Sequence, residues 1–181
     1  MSSPTRWVRF AAVLSVLALA GCTAMNVNSY LERGADFTKY RTYAWGAAPA
    51  EATGDPRLDN NPFFHDRVRA DADKQLATRG FQKIASGTPD LVLHYHASVS
   101  QKLEVSGTDN ETGACRGDSC RPFVYDAGTL LFDFIDGRTN SLVWRGWAEG
   151  SVDGVIDNQA WLEQKIADAV DRIMRRLPRR L

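Results

Sequence analysis

Two histidines separated by a single residue could bring a pair of imidazoles together. His94 and His96 belong to a stretch in which apolar and polar residues alternate, and this pattern predicts a strand with both side chains on one face. Imidazole is a common zinc ligand, but a zinc site needs three or four protein ligands. His65, the other histidine of the chain, begins a predicted helix that we expect to pack on the opposite face of the sheet. The histidine pair therefore predicts no metal site.

The same stretch instead offers a candidate binding face. Ser98 and Ser100 continue the polar positions after His94 and His96, while apolar residues occupy the positions between them. A strand with this pattern packs its apolar side on the core and leaves its polar side half exposed. We expect these four polar side chains to contact a protein or a polymer.

Five carboxylates lie in or near a predicted hairpin, which raises the alternative of acid/base catalysis. They are Asp133, Asp136, Glu149, Asp153 and Asp157. A general acid at neutral pH needs an apolar pocket that raises its pKa, and nothing in the sequence indicates such a pocket. Turn residues and cross-strand ion pairs are the favoured interpretation. No serine occupies a nucleophile-elbow motif and no glycine-rich loop follows a strand, so we predict no catalytic residue and no cofactor.

A secretory signal is predicted at the N-terminus. Arg6 and Arg9 precede an apolar run over residues 10–20, and small residues lie directly before Cys22. The run has 11 residues, well short of the roughly 20 that a membrane-spanning helix needs. Leu19-Ala20-Gly21-Cys22 resembles the lipobox of bacterial lipoproteins, in which the cysteine receives a diacylglyceryl group and an acyl chain.

This resemblance implies that the chain has three parts. Residues 1–21 form a lipoprotein signal peptide, residues 22–24 a lipidated N-terminus with a short tether, and residues 25–181 a single domain. The acyl chains on Cys22 would attach the domain to a membrane without further help. The residue after the cysteine is Thr23, which resembles outer-membrane lipoproteins and not those that an aspartate at this position holds at the inner membrane. We therefore expect the domain to lie at the outer membrane and to face the periplasm.

The charge balance excludes one class of partner. The chain has 22 basic and 22 acidic residues, and loss of Arg6 and Arg9 with the signal leaves 20 basic and 22 acidic residues, a net charge of −2. A nucleic-acid-binding domain concentrates positive charge on its surface. We therefore expect an envelope protein or polymer as the partner, and no nucleic acid.

The remaining two cysteines favour a disulfide. Cys115 and Cys120 flank a polar loop of four residues, and they are an even pair once Cys22 carries lipid. Disulfides form and persist in an oxidising periplasm. So small a ring contributes roughly 2 kcal/mol, which orders a loop without deciding the fold.

Periodicity and end signals predict the secondary structure of the domain. Strands are expected from Met25, over residues 37–45 and over residues 91–105, with a loop over residues 46–61. One helix should follow the N-cap Asn61 and stop at Gly80, and a second should run from about Asn158 to Pro178. Their apolar faces contain Phe64, Val68, Ala72 and Leu76, and Leu162, Ile166, Ala169, Val170, Ile173 and Leu177.

A β-hairpin is predicted from residues 128–136 and 142–149. The favoured register has four pairs: Phe134 with Trp144, Phe132 with Gly146, Leu130 with Ala148, and Asp133 with Arg145. It places apolar residues together on one face and opposite charges together on the other, and a shift of one residue would exchange the two faces. The element order predicts an α+β fold, a largely antiparallel sheet with two helices packed on one face.

Several segments resemble a known family. Residues 37–45, residues 89–96 and the hairpin of residues 128–136 and 142–148 are similar to the bacterial lipoprotein family known as domain-of-unknown-function family 4136. The resemblance covers nearly all of the mature chain, although the segment from Cys115 to Cys120 is not part of the pattern. It implies an envelope location and an α+β fold, and it supplies no established activity or catalytic residue.

These observations favour a lipid-anchored envelope protein with a non-enzymatic binding or structural role. One alternative is a small-ligand or metal-binding module that uses His94 and His96, and another is a hydrolase with a site near the hairpin. A deep, closed pocket with convergent polar groups would favour either alternative, whereas a flat exposed surface would favour the first interpretation.

Overall fold

The structure is a computed structural model that describes residues 25–47, 52–106 and 120–179. Within these ranges the chain forms six strands and three helices. The strands are β1 (Met25–Leu31), β2 (Thr42–Trp45), β3 (Gln82–Lys83), β4 (Leu91–Ser106), β5 (Arg121–Asp136) and β6 (Leu142–Ser151). The helices are α1 (Pro56–Asp59), α2 (Pro62–Thr78) and α3 (Gln159–Arg175).

The described strands form one mixed sheet in the order β1-β6-β5-β4-β2-β3. Strands β1, β6, β5 and β4 pair antiparallel, whereas β2 pairs parallel with both β3 and β4. Parallel neighbours need a long crossover connection, and the chain segment that contains α2 supplies it between β2 and β4. The fold is therefore mixed α/β, with a mostly antiparallel sheet.

Local signals determine where the two long helices begin. The Asn61 side chain accepts a hydrogen bond from the Phe64 N–H at 3.2 Å, and the Asn158 side chain accepts one from the Trp161 N–H at 3.1 Å. Each cap satisfies a backbone donor that has no partner within the helix. Helix α2 ends two residues before Gly80, whose φ of 79° cannot continue the helix. Both predicted N-caps and the stop at Gly80 are confirmed.

The register of β5 and β6 is the predicted one. Phe134 lies opposite Trp144, and Phe132 lies opposite Gly146. The rings of Phe134 and Trp144 meet edge to face, with their centroids 4.9 Å apart. A side chain at Gly146 would overlap the Trp144 ring and the Ile173 side chain of α3. The glycine therefore allows close packing of the sheet against α3 at this point.

The strand predicted over residues 37–45 and the loop predicted over residues 46–61 differ from the structure. Strand β2 covers Thr42–Trp45 and not residues 37–45, because the Asp36 side chain accepts hydrogen bonds from the Thr38 N–H at 3.0 Å and from its hydroxyl at 2.6 Å and thereby forms a turn. The predicted loop over residues 46–61 contains the short helix α1, which is capped by Asp55.

Strand β5 begins seven residues before the predicted start at Gly128. Strands β4 and β5 stay paired from Leu91 with Asp136 to Ser106 with Arg121, whereas β6 pairs with β5 only between Ala127 and Ile135. The outer parts of β4 and β5 therefore form a two-stranded extension of the sheet. In the three described ranges, no helix is long and apolar enough to span a membrane.

Asp136 stabilises the turn between β5 and β6. Its carboxylate accepts hydrogen bonds from the backbone N–H groups of Thr139 at 2.8 Å and Arg138 at 2.9 Å, and from the Tyr40 hydroxyl at 3.1 Å. The Thr139 and Arg138 bonds favour the ionised form and outweigh burial, so the pKa of Asp136 lies below its ordinary value of 3.8.

We expect Asp136→Ala to lower the free energy of unfolding at neutral pH by about 1–2 kcal/mol, because three donors lose their acceptor. The pKa of Asp136 is lower in the folded protein than in the unfolded chain. Its contribution to stability is therefore fully present above the unfolded-state pKa, and it is lost as the pH falls through the folded-state pKa. Denaturant titrations should thus show a difference from wild type that shrinks below about pH 4. Arg138→Ala keeps the backbone donor and should change stability by less than about 0.5 kcal/mol. A pH-independent difference for Asp136→Ala would contradict this account.

Candidate functional site

One face of strands β4, β5, β6 and β1 contains the predicted binding residues, and we call it the His94 face. Side-chain alternation and strand register put ten of its residues together: His94, His96, Ser98, Ser100, Leu131, Asp133, Arg145, Trp147, Asn28 and Tyr30. Asp133 is buried, and the others are half-buried or exposed. The opposite face of the same strands contributes the largest buried side chains, including Phe132, Phe134 and Trp144.

An ion pair lies at the centre of the His94 face. Asp133 lies between His94 of β4 and Arg145 of β6. Arg145 donates two hydrogen bonds to the carboxylate, from Nε to Oδ1 at 2.6 Å and from Nη2 to Oδ2 at 2.7 Å. This bidentate pair raises the pKa of Arg145. Because both oxygens of Asp133 are bonded to a guanidinium, the carboxylate is a structural partner and is poorly suited to act as a base.

The two imidazoles share the His94 face as predicted, and His65 does not join them. The His94 ring lies directly over the backbone of Gly46, where an added Cβ would overlap it. His65 lies on α2, where its Nδ1 is 2.6 Å from the hydroxyl of Tyr95 on the opposite face of β4. Among the described residues, no group of three or more metal-ligating side chains lies close enough to hold a metal ion.

The other candidate carboxylates also have structural partners. Glu149 pairs with Lys102 at 2.5 Å, and Asp157 pairs with Arg57 at 2.7 Å. Asp153 accepts a hydrogen bond from the Asp126 N–H at 2.9 Å. Together with Asp136 in its turn, these contacts agree with the turn and ion-pair interpretation of the sequence.

A polar and aromatic cluster on the other face was not predicted. The Arg69 guanidinium of α2 lies over the rings of Trp45 and Tyr95, at 5.6 Å and 5.9 Å from their centroids. Asp73, one turn further along α2, accepts hydrogen bonds from Trp45 Nε1 at 2.9 Å and from the Tyr43 hydroxyl at 2.8 Å. The sequence offers one signal for this cluster, the four-residue spacing of His65, Arg69 and Asp73, which places the three side chains on the same side of α2. The contacts attach α2 to the sheet.

Three cavities among the described residues have volumes of about 70, 350 and 510 Å³, and each of the three is open to solvent. An apolar cavity of about 70 Å³ lies between the sheet and the helices, where Phe64, Leu130 and Ile166 line it. Pockets for small ligands hold roughly 300–1,000 Å³. A surface cleft of about 510 Å³ contains Asp36, Asp90 and Asp136, but it is open to solvent and the pKa of each carboxyl lies below its ordinary value. A general acid would need a raised pKa.

Two predicted sites lie outside the described residues. Cys22 precedes the first described range, and Cys115 falls between residues 106 and 120. Cys120 is described and is half-buried. The lipid attachment and the disulfide therefore stay predictions.

A family model described as "Domain of unknown function (DUF4136)" matches residues 27–179. The chain belongs to this family. Its membership confirms the resemblance of the hairpin and strand segments, and it assigns no activity to the DUF4136 domain. Among curated proteins, none matches the chain.

Solved structures are similar to the chain at low sequence identity. A PDZ domain protein from Parabacteroides distasonis is 13% identical with a TM-score of 0.53, and the match covers 85% of this chain and 36% of that one. The chain thus spans about a third of that protein, and the likeness concerns the fold alone. A DUF4136 family protein from Bacteroides thetaiotaomicron is 11% identical over 80% of this chain and 92% of that one, with a TM-score of 0.49. The PelC dodecamer from Paraburkholderia phytofirmans is 13% identical over 87% of this chain and 99% of that one, with a TM-score of 0.49.

The ion pair in this DUF4136 domain should be important for stability. Arg145→Met would leave the buried Asp133 carboxylate without its guanidinium, so we expect a loss of about 2–3 kcal/mol in the free energy of unfolding. The double variant Asp133→Leu/Arg145→Met removes the unpaired charge and should recover part of that loss. Guanidinium denaturation of both proteins measures the difference. Equal stabilities of the single and double variants would show that the unpaired carboxylate is not the cause.

Proposed function

We propose that the chain is a lipid-anchored cell-envelope protein whose DUF4136 domain has a non-enzymatic binding or structural role. The observation that carries the proposal is the His94 face, a broad surface whose central charges already neutralise each other. Catalysis would require a polar group that is free to react in a closed pocket. Contact with a protein or an envelope polymer requires only an accessible surface of suitable composition.

We also propose that α2 and α3 cover the same face of the sheet and leave the His94 face open. Two contacts support this proposal, and each is made to a sheet residue on the face opposite His94. His65 of α2 lies against Tyr95 of β4, and Ile173 of α3 lies beside Gly146 of β6. The two helices also contact each other, because Gln75 donates a hydrogen bond to Asp171 at 3.2 Å.

The composition of the His94 face supports a role in binding. Tyr30 is exposed, and Trp147 and Arg145 are half-buried within one neighbourhood of β1 and β6. Tyrosine, tryptophan and arginine are the residues most enriched in binding hot spots, since each provides a large contact area together with a polar group. Ser98 and Asn28 extend the same surface with small polar side chains that suit its rim.

The proposed location depends on Cys22 and on the short segment before β1. Two residues, Thr23 and Ala24, separate Cys22 from Met25 along the chain. The two Cα atoms are three residue steps apart and lie within about 11 Å of each other, at no more than about 3.6 Å per step. An acylated Cys22 would hold the domain directly against the membrane surface. Thr23 supports the outer membrane as that surface, with the domain on its periplasmic side.

A photo-crosslinking residue tests the His94 face in intact cells. Placed at Ser98, it should yield a discrete crosslinked species, and Trp147→Ala should reduce the yield severalfold because an aromatic anchor is lost. The matched control is the same crosslinker at Ala77, an exposed position on α2. Identical products from both positions would contradict a specific role for the His94 face.

A substrate screen separates this proposal from the enzyme and metal alternatives. We expect His94→Ala/His96→Ala to lower the free energy of unfolding only slightly, because both imidazoles lie outside the buried core, although the His94 ring loses its packing over Gly46. His65→Ala is the matched histidine control and should cost about 1 kcal/mol, since the Tyr95 hydroxyl loses its hydrogen bond with His65. Purified protein should turn over no ester, phosphate, peptide or glycan. Reproducible turnover that the double variant loses, or stoichiometric zinc, would overturn the proposal.

A further inference from the structure

The outer parts of β4 and β5 form a ribbon that exposes apolar side chains. We define the ribbon as residues 101–106 paired with residues 121–126, beyond the last pair between β5 and β6. Leu103 is 69% exposed and Val124 is 60% exposed, and Val105 and Phe123 are also exposed. A two-stranded ribbon has little core of its own. Leu103, Val105 and Val124 lie on one side of the ribbon and Phe123 on the other. A contiguous group of exposed apolar residues such as the first three is typical of an interaction site.

The apolar residues are concentrated on one side of the ribbon. Leu103 pairs with Val124, and Val105 pairs with Pro122, so these four side chains share a side. The charged residues Lys102, Glu104 and Arg121 lie on the other side, where Lys102 pairs with Glu149. Asp126 lies on the Leu103 side, at the base of the ribbon. The four outermost described positions on the Leu103 side are therefore without charge.

The chain enters the domain at the same end from which the ribbon projects. Met25 pairs with Gly150, Gly150 with Gly128, and Gly128 with Val99, so all four residues lie on one level across the sheet. Strand β1 runs antiparallel to β6 and therefore opposite to β4. Tracing β1 backwards from Leu31 to Met25 consequently leads in the direction of the ribbon tip.

We propose that the ribbon is a second membrane-binding element, which lays Leu103, Val105 and Val124 on the lipid surface that holds Cys22. The inference rests on the proposed lipid anchor. The ribbon extends by about 20 Å at roughly 3.3 Å per residue, whereas the three residues before Met25 reach at most about 11 Å. The ribbon is longer than the tether, and its strands β5 and β4 stand two and three strand spacings from β1, about 10 and 14 Å. A membrane that holds the acylated cysteine therefore meets the ribbon.

A second exposed aromatic residue lies at this end of the domain. Trp161, at the start of α3, is exposed and lies beside Gly154, in the turn that follows β6. Tryptophan concentrates at the interface between lipid and water. The backbone edges of the ribbon need hydrogen-bond partners, which water and lipid headgroups provide and the hydrocarbon interior does not. The ribbon thus lies in the headgroup region and does not cross the bilayer.

The charge pattern favours lipid over a second copy of the chain as the occupant. The outer Leu103 side has no charged group that would select a protein partner or fix the register of a dimer. Interfacial binding needs only apolar area at the correct depth. Anchoring through Cys22 raises the effective concentration of the ribbon at the surface, so a weak intrinsic affinity is sufficient.

Vesicle binding by the mature chain without lipid tests the ribbon by itself. The Cys22→Ser protein should bind weakly to phosphatidylethanolamine and phosphatidylglycerol vesicles, and Leu103→Asp/Val124→Asp in that background should lower the bound fraction at least fivefold. Leu31→Asp is the matched control, because Leu31 is exposed at the far end of β1 and its replacement should leave binding unchanged. Unchanged circular dichroism verifies that each variant is folded.

The anchored state provides the deciding measurement. In the lipidated chain on vesicles, the amides of residues 101–106 and 121–126 should exchange more slowly than in the free Cys22→Ser protein. Equal exchange rates would overturn the ribbon proposal, even if vesicle binding is too weak to detect. Concentration-dependent self-association that Leu103→Asp/Val124→Asp abolishes, with no lipid protection, would assign the ribbon to a dimer interface instead.

Cell fractionation tests the anchor separately. Cys22→Ser should move the domain from the membrane fraction to the soluble fraction, because the ribbon alone binds weakly. A wild-type N-terminus without acyl groups would refute the anchor and leave the vesicle result to decide whether the ribbon binds lipid. An acylated Cys22 with no protection of the ribbon would refute only the ribbon proposal.

Discussion

The close packing of Trp144 over Gly146 and against Phe134 is the constraint on which the two faces of the sheet depend. It holds β5 and β6 in one register, and the absence of a side chain at Gly146 leaves room for Ile173 of α3 beside Trp144. A shift of one residue would turn every side chain of a strand to the other face. The core residues and the His94 face are therefore two consequences of one register, and a defect at Gly146 would disturb both.

Two carboxylates among the described residues, those of Asp133 and Asp73, have hydrogen-bond partners where they lie. Asp133 is buried but bonded twice to Arg145, and Asp73 accepts hydrogen bonds from Tyr43 and Trp45 where α2 meets the sheet. Burial of an unpaired charge would cost several kcal/mol or force a change of protonation. Because these groups are paired, the described surface is better suited to contact than to proton transfer, which agrees with the proposed role.

The proposed orientation gives the two exposed surfaces different tasks. When the Leu103 side of the ribbon lies on the lipid, the His94 face, which is the opposite face of the same strands, points away from the membrane, where a large partner can reach it. The ribbon and the acylated cysteine would then form two separated attachments, which restrict the tilt of the domain more than a flexible single tether does. Such a restriction would limit which partners the His94 face meets.

Local interactions explain what the sequence determined by itself. Asn61, Asn158 and Gly80 set helix ends through bonds or dihedral angles that involve only near neighbours, and the alternating residues of the hairpin specify its register. Tertiary structure alone decided the length of the ribbon and the placement of Arg69 over Trp45. Pro122 and Asp126 interrupt the strand pattern before Gly128, and only pairing with β4 extends the strand through them. These features depend on partners distant in sequence, whose contact exists only after the sheet has formed.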